Sequence, residues 1–158
     1  MATEVRKLDP EDWQLYRRIR LAALKEAPYA FGSTYEAEVG APERRWRQAL
    51  RDRTRFVAEL DGVVAGTVSG GDADSSQASA MTAMWVDPRF RRRGVGDLLV
   101  KTVLDWARSA GYGEMLLWVA DGNANAERLY ERNGFRRTGG VQEMRVRALE
   151  YEMSKRLR

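Results

Sequence analysis

A strand, a turn and an amphipathic helix follow one another without a break between Met84 and Ser109. Apolar residues lead into a proline turn and two glycines, and beyond them apolar side chains recur at helical spacing. A second strand-like run, Glu114 to Ala120, follows the helix. Because two strands joined by a crossover helix lie parallel in a right-handed unit, this stretch predicts a parallel strand pair in an α/β fold. Ligands tend to bind at the carboxyl ends of such strands.

The two glycines, Gly94 and Gly96, stand where the helix begins. The first N–H groups of a helix have no partner within it, and the helix dipole adds partial positive charge there. Glycine leaves space for an anion beside the backbone, and Arg91, Arg92 and Arg93 precede it. We therefore interpret the turn as a pyrophosphate-binding site that matches neither the Walker loop nor the dinucleotide fingerprint. The alternative is a glycine-rich turn with a solvated run of arginines.

The 158 residues, 44% of them hydrophobic, suit one globular domain that spans residues 1–158. No apolar run approaches the ~20 residues that cross a bilayer, and the first residues contain no apolar signal core. We therefore expect a cytoplasmic protein without a membrane partner. The chain has neither cysteine nor histidine, which excludes a thiol nucleophile and removes the commonest base and metal ligands. We predict no metal site.

Arginines fall in clusters, and the formal net charge is +4. Such clusters could bind nucleic acid, but an anionic cofactor explains the middle cluster equally well. The first cluster is interpreted as the solvated face of a helix. It comprises Arg44, Arg45, Arg47, Arg51, Arg53 and Arg55. Since no nucleic-acid-binding motif accompanies these arginines, we predict no nucleic-acid partner.

A second motif, WVADGNANAERLYERNGF at residues 118–135, runs from a strand end into a short helix closed by Gly134. The pair RRRGVG and N-x-x-A-x-x-L-Y-x-x-x-G-F, separated by one helix and one strand, resembles the GNAT superfamily of N-acetyltransferases. The resemblance covers Met84 to Phe135 closely. It implies acetyl-CoA-dependent transfer to a primary amine, and a mostly antiparallel mixed sheet with a splayed parallel strand pair and helices on both faces.

The resemblance also assigns a cofactor site, in which strand backbone bonds the acyl-pantetheine arm and the glycine turn holds the pyrophosphate. The residues assigned to the cofactor are Met84, Trp85, Val86, Arg91, Arg92, Arg93, Gly94, Val95, Gly96, Asp97, Asn123 and Tyr130. Within this set, Asn123 reaches the pantetheine arm and Tyr130 lies near the thioester sulfur. Arg128 and Arg132 either meet the 3′-phosphate of the cofactor or form a solvated helix face.

Tyr130 is predicted to be the general acid, because a phenol with a pKa near ~10 can donate to the departing thiolate at neutral pH. An amine acceptor must first lose a proton, yet neither position where relatives carry a glutamate base holds one here. Those positions are Trp118 and the run Ala78, Ser79 and Ala80. The remaining alternatives for the base are water, Glu36, Asp72 and Asp121.

Because the chain has no cysteine to carry an acyl group, we predict direct attack by the amine in a ternary complex. The alternative function is a non-catalytic acyl-CoA-binding or sensing module of the same fold. The missing glutamates at both usual positions motivate this second hypothesis. The resemblance also leaves a homodimer open.

Asp9 is predicted to cap a first helix, which Pro28 ends. By the resemblance, the acceptor is expected to contact the irregular segment APYAFGSTYEAE, residues 27–38, which follows this helix. Its candidate residues are Tyr29, Phe31, Tyr35, Glu36 and Glu38. Trp85 and Trp118 could add an aromatic wall, although aromatic side chains at these positions could equally pack in the core. The aromatic and acidic character suits a cationic amine, either a small molecule or a peptide.

The flanking elements follow from local signals. APERRWRQALRD predicts a helix, and Asp61 with Gly62 predicts a hairpin turn between two alternating strands. DADSSQ is a polar loop, and the tail offers Phe135 to Thr138 and Leu149 to Leu157 as closing antiparallel strands. The whole chain is predicted to form an α+β sandwich within the broad α/β class.

Overall fold

The computed structural model describes residues 3–73, 77–145 and 148–157. Within them the strands are β1 (Thr3–Lys7), β2 (Thr54–Leu60), β3 (Val63–Asp72), β4 (Ala78–Val86), β5 (Glu114–Ala120), β6 (Arg136–Arg145) and β7 (Ala148–Arg156). They form one 7-stranded sheet in the order β1-β2-β3-β4-β5-β7-β6. Every neighbouring pair is antiparallel except β4 and β5, which confirms the predicted mixed sheet.

Helices cover both faces of this sheet. They are α1 (Trp13–Glu26), α2 (Tyr35–Glu38), α3 (Glu43–Asp52), α4 (Val95–Ser109) and α5 (Ala124–Arg132). One apolar cluster joins α4 and α5 to one face of the sheet, and a second cluster joins α1 and α3 to the other. In the ranges that the structure describes, no helix combines the length and apolar character needed to cross a bilayer.

The parallel strands β4 and β5 separate soon after they meet. Residues 78–80 pair with residues 114–116, and the Ser79 hydroxyl donates to the Glu114 carbonyl at 3.1 Å. Beyond these pairs the two described strands continue to Val86 and Ala120 without pairing to each other. A gap therefore opens toward the carboxyl ends of the two strands, as the splayed pair predicts.

A bulge in β4 lies beside this gap. Thr82 pairs with Ser69 and Trp85 pairs with Thr67, so two residues of β4 stand opposite one residue of β3. Ala83, one of those two, has a φ of +57°, a left-handed conformation that costs a non-glycine residue about 1–2 kcal/mol. Because a bulge bends the strand that carries it, β4 turns at the place where it leaves β5.

The closing strand β6 is longer than predicted. The sequence suggests a strand from Phe135 to Thr138, whereas β6 continues to Arg145. Gly139 has a φ of +98°, and the register shifts between Arg137 and Val141. The glycines are therefore accommodated as an irregularity in the ladder and do not end the strand.

Two loop predictions also need revision. The segment 27–38, expected to be irregular, contains the short helix α2, whose N-cap Thr34 accepts a hydrogen bond at Oγ1 from the Ala37 N–H at 3.1 Å. The polar loop DADSSQ begins at Asp72, which still belongs to β3, and its residues 74–76 lie outside the described residues.

Candidate active site

A first cavity of about 570 Å³ is bounded by the gap in the sheet, the start of α4 and the helix α5. The predicted cofactor residues that line it are Met84, Trp85, Val86, Arg91, Arg92, Gly94, Val95, Gly96, Asp97, Asn123 and Tyr130. Arg93 does not line it, and its guanidinium lies 5.9 Å from the centroid of the Phe90 ring. The structure thus gathers two separate motifs around one cavity.

Helix α4 begins beside this cavity without a side-chain cap. Gly94 is the N-cap residue, with a φ of +80°, and the Leu98 N–H donates to its carbonyl at 3.0 Å. The N–H groups of residues 95–97 precede Leu98, the first residue whose N–H donates within the helix, and are available to bond an anion. The left-handed conformation favours glycine at position 94, although an added Cβ would meet nothing within 4 Å.

Gly96 lines the first cavity and also has a packing role that the sequence does not indicate. A Cβ at this position would lie 3.2 Å from Cδ2 of Leu129 and 3.7 Å from Cγ2 of Val86. The missing side chain therefore lets α5 pack closely on the start of α4. The prediction that both glycines make room for an anion stays a prediction, and close packing is a second reason for glycine at position 96.

Glu26, the last residue of α1, joins two of the predicted site residues. Its Oε1 accepts from Trp85 Nε1 at 2.9 Å and from Arg91 Nη2 at 2.6 Å. Arg91 Nε also donates to the Val86 carbonyl at 3.0 Å, so the guanidinium is engaged by protein groups. Trp85 is only 7% exposed and packs beneath α1, which leaves little of it for an aromatic wall. The local pattern of α1 carries no signal that distinguishes Glu26.

Tyr130 lies buried on α5 at the wall of the first cavity, 7% exposed. Its ring meets Phe135 edge to face, with the centroids 6.0 Å apart. Burial raises the pKa of the Tyr130 phenol well above its ordinary value of 10.0. The hydroxyl is therefore protonated at neutral pH and available as a donor. Asn123 caps the same helix, accepting at Oδ1 from the Ala126 N–H at 3.3 Å.

Asp97 connects the two helices that border the first cavity. Its carboxylate accepts from Arg132 Nε at 3.0 Å and Nη2 at 2.9 Å, and from Asn133 Nδ2 at 2.9 Å. The hydrogen bonds from Arg132 lower the pKa of the Asp97 carboxyl. Arg132 is thus paired with a carboxylate, whereas Arg128 bonds the neutral side chain of Asn125. Of the two arginines considered for the 3′-phosphate, Arg128 has the less compensated charge.

A second cavity, of about 1040 Å³, lies on the opposite face of the sheet beneath α1 and α3. The residues that line both cavities are Ala30, Phe31, Met81, Thr82, Ala83, Leu117 and Trp118. Trp118 is 38% exposed there, and the Arg20 guanidinium lies 5.1 Å from the ring centroid of buried Phe31. Exposed Tyr29 lines the first cavity. The two cavities therefore meet at the gap between β4 and β5.

The carboxylates considered as bases do not gather at this junction. Glu36 is exposed and lines neither cavity. Asp121 also lines neither cavity and lies in a turn, where its N–H donates to the Leu149 carbonyl at 2.9 Å. Asp72 lines the second cavity, but it pairs with Ser79 at the closed end of the gap and accepts the Tyr112 hydroxyl.

Glu38 reaches the second cavity, but its charge is compensated. Arg20 Nε and Nη2 each donate to one of its carboxylate oxygens at 3.0 Å. Burial alone would raise the pKa of the Glu38 carboxyl, yet the hydrogen bonds from Arg20 and Ser33 outweigh burial and lower it. A carboxylate with a lowered pKa is a weak base.

Glu152 of β7 is the carboxylate that sequence reasoning missed. It pairs directly with Trp118 in the β5–β7 ladder, so both side chains point to the same face of the sheet. It lines the second cavity, and its Oε1 accepts from Thr138 Oγ1 at 2.6 Å. Glu150, two residues earlier on the same face, accepts from Gln142 Nε2 at 2.5 Å. Strand alternation predicts that these two glutamates share a face of the sheet. It does not predict that β7 pairs with β5, which brings Glu152 beside Trp118.

The first arginine cluster is not a single solvated helix face, which corrects the prediction. Arg47 is paired with Glu43 at 2.8 Å and with Glu11 at 3.1 Å. Arg53 and Arg55 follow α3 in the chain, are half-buried, and line the second cavity. The arginines that stay exposed on α3 are Arg44, Arg45 and Arg51.

Comparison with known proteins shows the family of this chain. Residues 13–135 match the family described as Acetyltransferase (GNAT) family. The chain belongs to that family. The resemblance inferred from the two motifs is therefore confirmed, and the GNAT family also accounts for the splayed strands and the mixed sheet.

Two curated relatives match part of this GNAT chain. Human N-acetyltransferase 8 is 34% identical over 88 residues, which are 53% of this chain and 39% of that protein. Rat N-acetylaspartate synthetase is 30% identical over 102 residues, 65% of this chain and 34% of that protein. The matches thus span well under half the length of these relatives. The structure of yncA from Salmonella typhimurium with its cofactor acetyl-CoA shares the fold, with a TM-score of 0.78, 23% identity, and coverage of 100% of this chain and 95% of that chain.

The GNAT family uses acetyl-CoA, and the first cavity fits that cofactor. The uncapped start of α4 offers free N–H groups of the kind that bind a diphosphate. The facing edges of β4 and β5 leave backbone donors and acceptors for an extended pantetheine arm. Asn123 and Tyr130 line the same cavity farther along α5.

Proposed function

We propose that this chain transfers the acetyl group of acetyl-CoA to an amine while both substrates are bound. The observation that carries the proposal is the junction of the two cavities, where Thr82, Ala83 and Trp118 line both. A donor in the first cavity and an acceptor in the second would touch at this junction. The absence of cysteine favours direct attack over an acylated enzyme.

The donor would bind with its diphosphate at the start of α4. Backbone N–H groups of residues 95–97 would carry this contact, and exposed Arg92 would add positive charge. Arg91, held by Glu26, would shape the turn and contribute less to direct binding. Backbone groups of residues 84–86 and the Asn123 side chain would hold the pantetheine arm, and Arg128 would meet the 3′-phosphate.

Bound acetyl-CoA supplies a thioester carbonyl that an amine can attack. N–H groups on the free edge of β4, next to the bulge at Ala83, would stabilise the negative charge that develops on the carbonyl oxygen. The Tyr130 hydroxyl would donate to the departing sulfur. Because burial raises the pKa of this phenol above that of a thiol, ~8.5, its main contribution would be a hydrogen bond to the thiolate.

Glu152 is the proposed base. An alkylamine has a pKa near ~10.4 and arrives protonated, so a carboxylate or a water held by it must accept a proton. Glu152 shares its sheet face with Trp118, which borders the junction. Glu38 is less suitable because Arg20 compensates its charge.

Release of free thiol from acetyl-CoA, measured against a panel of small amines, amino acids and short peptides, tests this function. We expect turnover with at least one class of amine and loss of turnover in Tyr130→Phe. Acetyl-CoA binding, followed by calorimetry, should stay nearly unchanged in this variant. Tight binding of acetyl-CoA with no thiol release from any amine would favour a non-catalytic acyl-CoA-binding module. A small-molecule or peptide acceptor, a homodimer and a cytoplasmic location stay predictions of the sequence.

A further inference from the structure

Two arginines that line the second cavity, Arg53 and Arg55, bond neutral groups instead of carboxylates. Arg55 Nε donates to the Ala49 carbonyl at 3.0 Å and Arg55 Nη1 to Ser69 Oγ at 2.7 Å, while its guanidinium lies 4.7 Å from the Tyr16 ring centroid. Arg53 Nη2 donates to a backbone carbonyl. In the part of the chain that the structure describes, neither guanidinium forms an ion pair.

This arrangement is costly unless a ligand brings negative charge. Burial lowers the pKa of both Arg53 and Arg55, because the charged form loses hydration. Arginine nevertheless remains protonated in proteins, so the charge persists. Both residues are half-buried, and charges withdrawn from water are normally paired, so an anion bound in the cavity would supply a partner.

Arg53 lies at the end of the second cavity where β4 and β5 are still paired, so an anion bound to it would lie within that cavity. Its Nη2 donates to the Ala80 carbonyl at 3.0 Å, and Ala80 belongs to the last parallel pair before β4 and β5 separate. Gly71 makes room for the guanidinium, since a Cβ there would lie 2.8 Å from Arg53 Cζ. Arg53 Nε is enclosed and has no hydrogen-bond partner in the described part of the chain. This side chain thus marks the closed end of the gap on the acceptor side.

The other charges of the second cavity give it two ends of opposite sign. Arg20 is neutralised by Glu38, and Arg45 is exposed. Asp72 is near enough to Arg53 to favour its charged form, but it accepts the Tyr112 hydroxyl and forms no ion pair with Arg53. Ala80 pairs with Leu116 of β5, and Trp118 lies two residues farther along that strand. Glu152 stands opposite Trp118, so it lies nearer the junction than Arg53 does. The closed end is therefore positive and the junction is acidic.

We propose that the acceptor of this acetyltransferase is a small amino acid-like compound whose carboxylate binds Arg53 while its amine points toward Glu152 and the junction. Two residues of strand span about 7 Å, which leaves room for a bound carboxylate at one end and an amine at the other. This inference rests on the proposed function and narrows its substrate class. It adds a positively charged end to the aromatic and acidic acceptor pocket that the sequence suggests.

Matched pairs of compounds test the carboxylate requirement. Each common L-amino acid is compared with its own carboxamide, which keeps the amine and side chain but removes the negative charge. We expect the preferred amino acid to exceed its carboxamide in kcat/KM by about 10- to 100-fold, the effect of one charge-assisted hydrogen-bonded contact. Equal use of the two compounds, or a preference for carboxamides, would overturn the proposal.

Variants of Arg53 locate the contact. Arg53→Gln should raise KM for the amino acid by about 10- to 100-fold and leave the carboxamide nearly unaffected. The KM of Arg53→Lys for the amino acid should lie between those of the native chain and Arg53→Gln, because lysine keeps the charge but lacks the planar guanidinium. Gly71→Ala displaces the guanidinium without removing it and should also raise KM. Arg51→Gln, exposed on α3, is the control for loss of one arginine. Thermal unfolding establishes that each variant is folded.

Binding measurements distinguish failure of this carboxylate site from failure of the proposed acetyltransferase function. The same amino acids and carboxamides are titrated calorimetrically into the protein saturated with coenzyme A. An amino acid should bind about 10-fold or more tightly than its carboxamide, and Arg53→Gln should remove the difference. If no amine is acetylated but this difference persists, catalysis is wrong and the carboxylate site stands. If no amino acid binds, or both compounds bind equally to the native chain, the carboxylate site is wrong.

Discussion

Glu152 stands directly opposite Trp118 in the antiparallel ladder between β7 and β5. Paired residues of such a ladder share one face of the sheet, so the carboxylate and the indole both face the second cavity, which is proposed for the acceptor. Trp118 also borders the cavity proposed for acetyl-CoA. Trp118 is one of the positions where relatives carry a glutamate base, and here Glu152 of β7 lies beside it.

Glu152→Gln tests the proposed base. The amide keeps the shape and can still bond Thr138, but it cannot accept the proton of the amine. We expect kcat to fall by about 10²–10⁴-fold, the usual contribution of general acid–base catalysis, with little change in the affinity for acetyl-CoA. Steady-state thiol release and calorimetry measure the two quantities. Glu131→Gln, exposed on α5, is the matched control, and an equal loss in both variants would contradict the assignment.

Tyr130→Phe tests the donor to the thiolate. The change removes one hydroxyl and preserves the contact with Phe135. We expect kcat to fall by about 10²-fold, because the departing sulfur loses its hydrogen bond. Since burial raises the pKa of Tyr130, the native enzyme should show no loss of rate from its ionisation below about pH 10. Full activity of the variant with a verified amine would show that another group serves the sulfur.

The same burial predicts how stability depends on alkaline pH. The unfolded state ionises this phenol near pH ~10, whereas the folded state keeps it protonated. The contribution is complete below about pH 10 and is lost as the pH rises above it, at up to ~1.4 kcal/mol per pH unit. Urea unfolding between about pH 9 and 11 should therefore show a steeper decline for the native chain than for Tyr130→Phe. Tyr29→Phe, at a residue 56% exposed, should follow the native curve.

Gly96→Val tests the packing role of this glycine. The added methyl groups would crowd Leu129 and Val86 and push α5 away from α4. We expect a loss of about 1–3 kcal/mol in the free energy of unfolding, with weaker binding of acetyl-CoA because the wall of its cavity moves. Gly40→Val is the control, since a Cβ there meets nothing within 4 Å. Unchanged stability and affinity in Gly96→Val would show that the helices tolerate the extra volume.

Local signals in the sequence determine much of this protein. The strand Glu114–Ala120 has the predicted bounds, and α4 begins at the predicted glycine turn. Turns, caps and helix periodicity are interactions between residues close in the chain, so the sequence records them directly. The family is readable for the same reason, because both of its motifs are continuous segments.

Only the tertiary structure decides which charges are compensated and which glutamate reaches the junction. β7 lies between β5 and β6, an order that no local pattern contains, and this order brings Glu152 beside Trp118. Arg53 belongs to a run of arginines that suits a solvated helix, yet its position against Gly71 leaves its side chain half-buried and without an ion pair to the described residues. Burial and ion pairing depend on neighbours distant in the chain. The proposed acceptor site of this GNAT protein therefore depends on the folded sheet, whereas the proposed cofactor site is predicted from two short motifs.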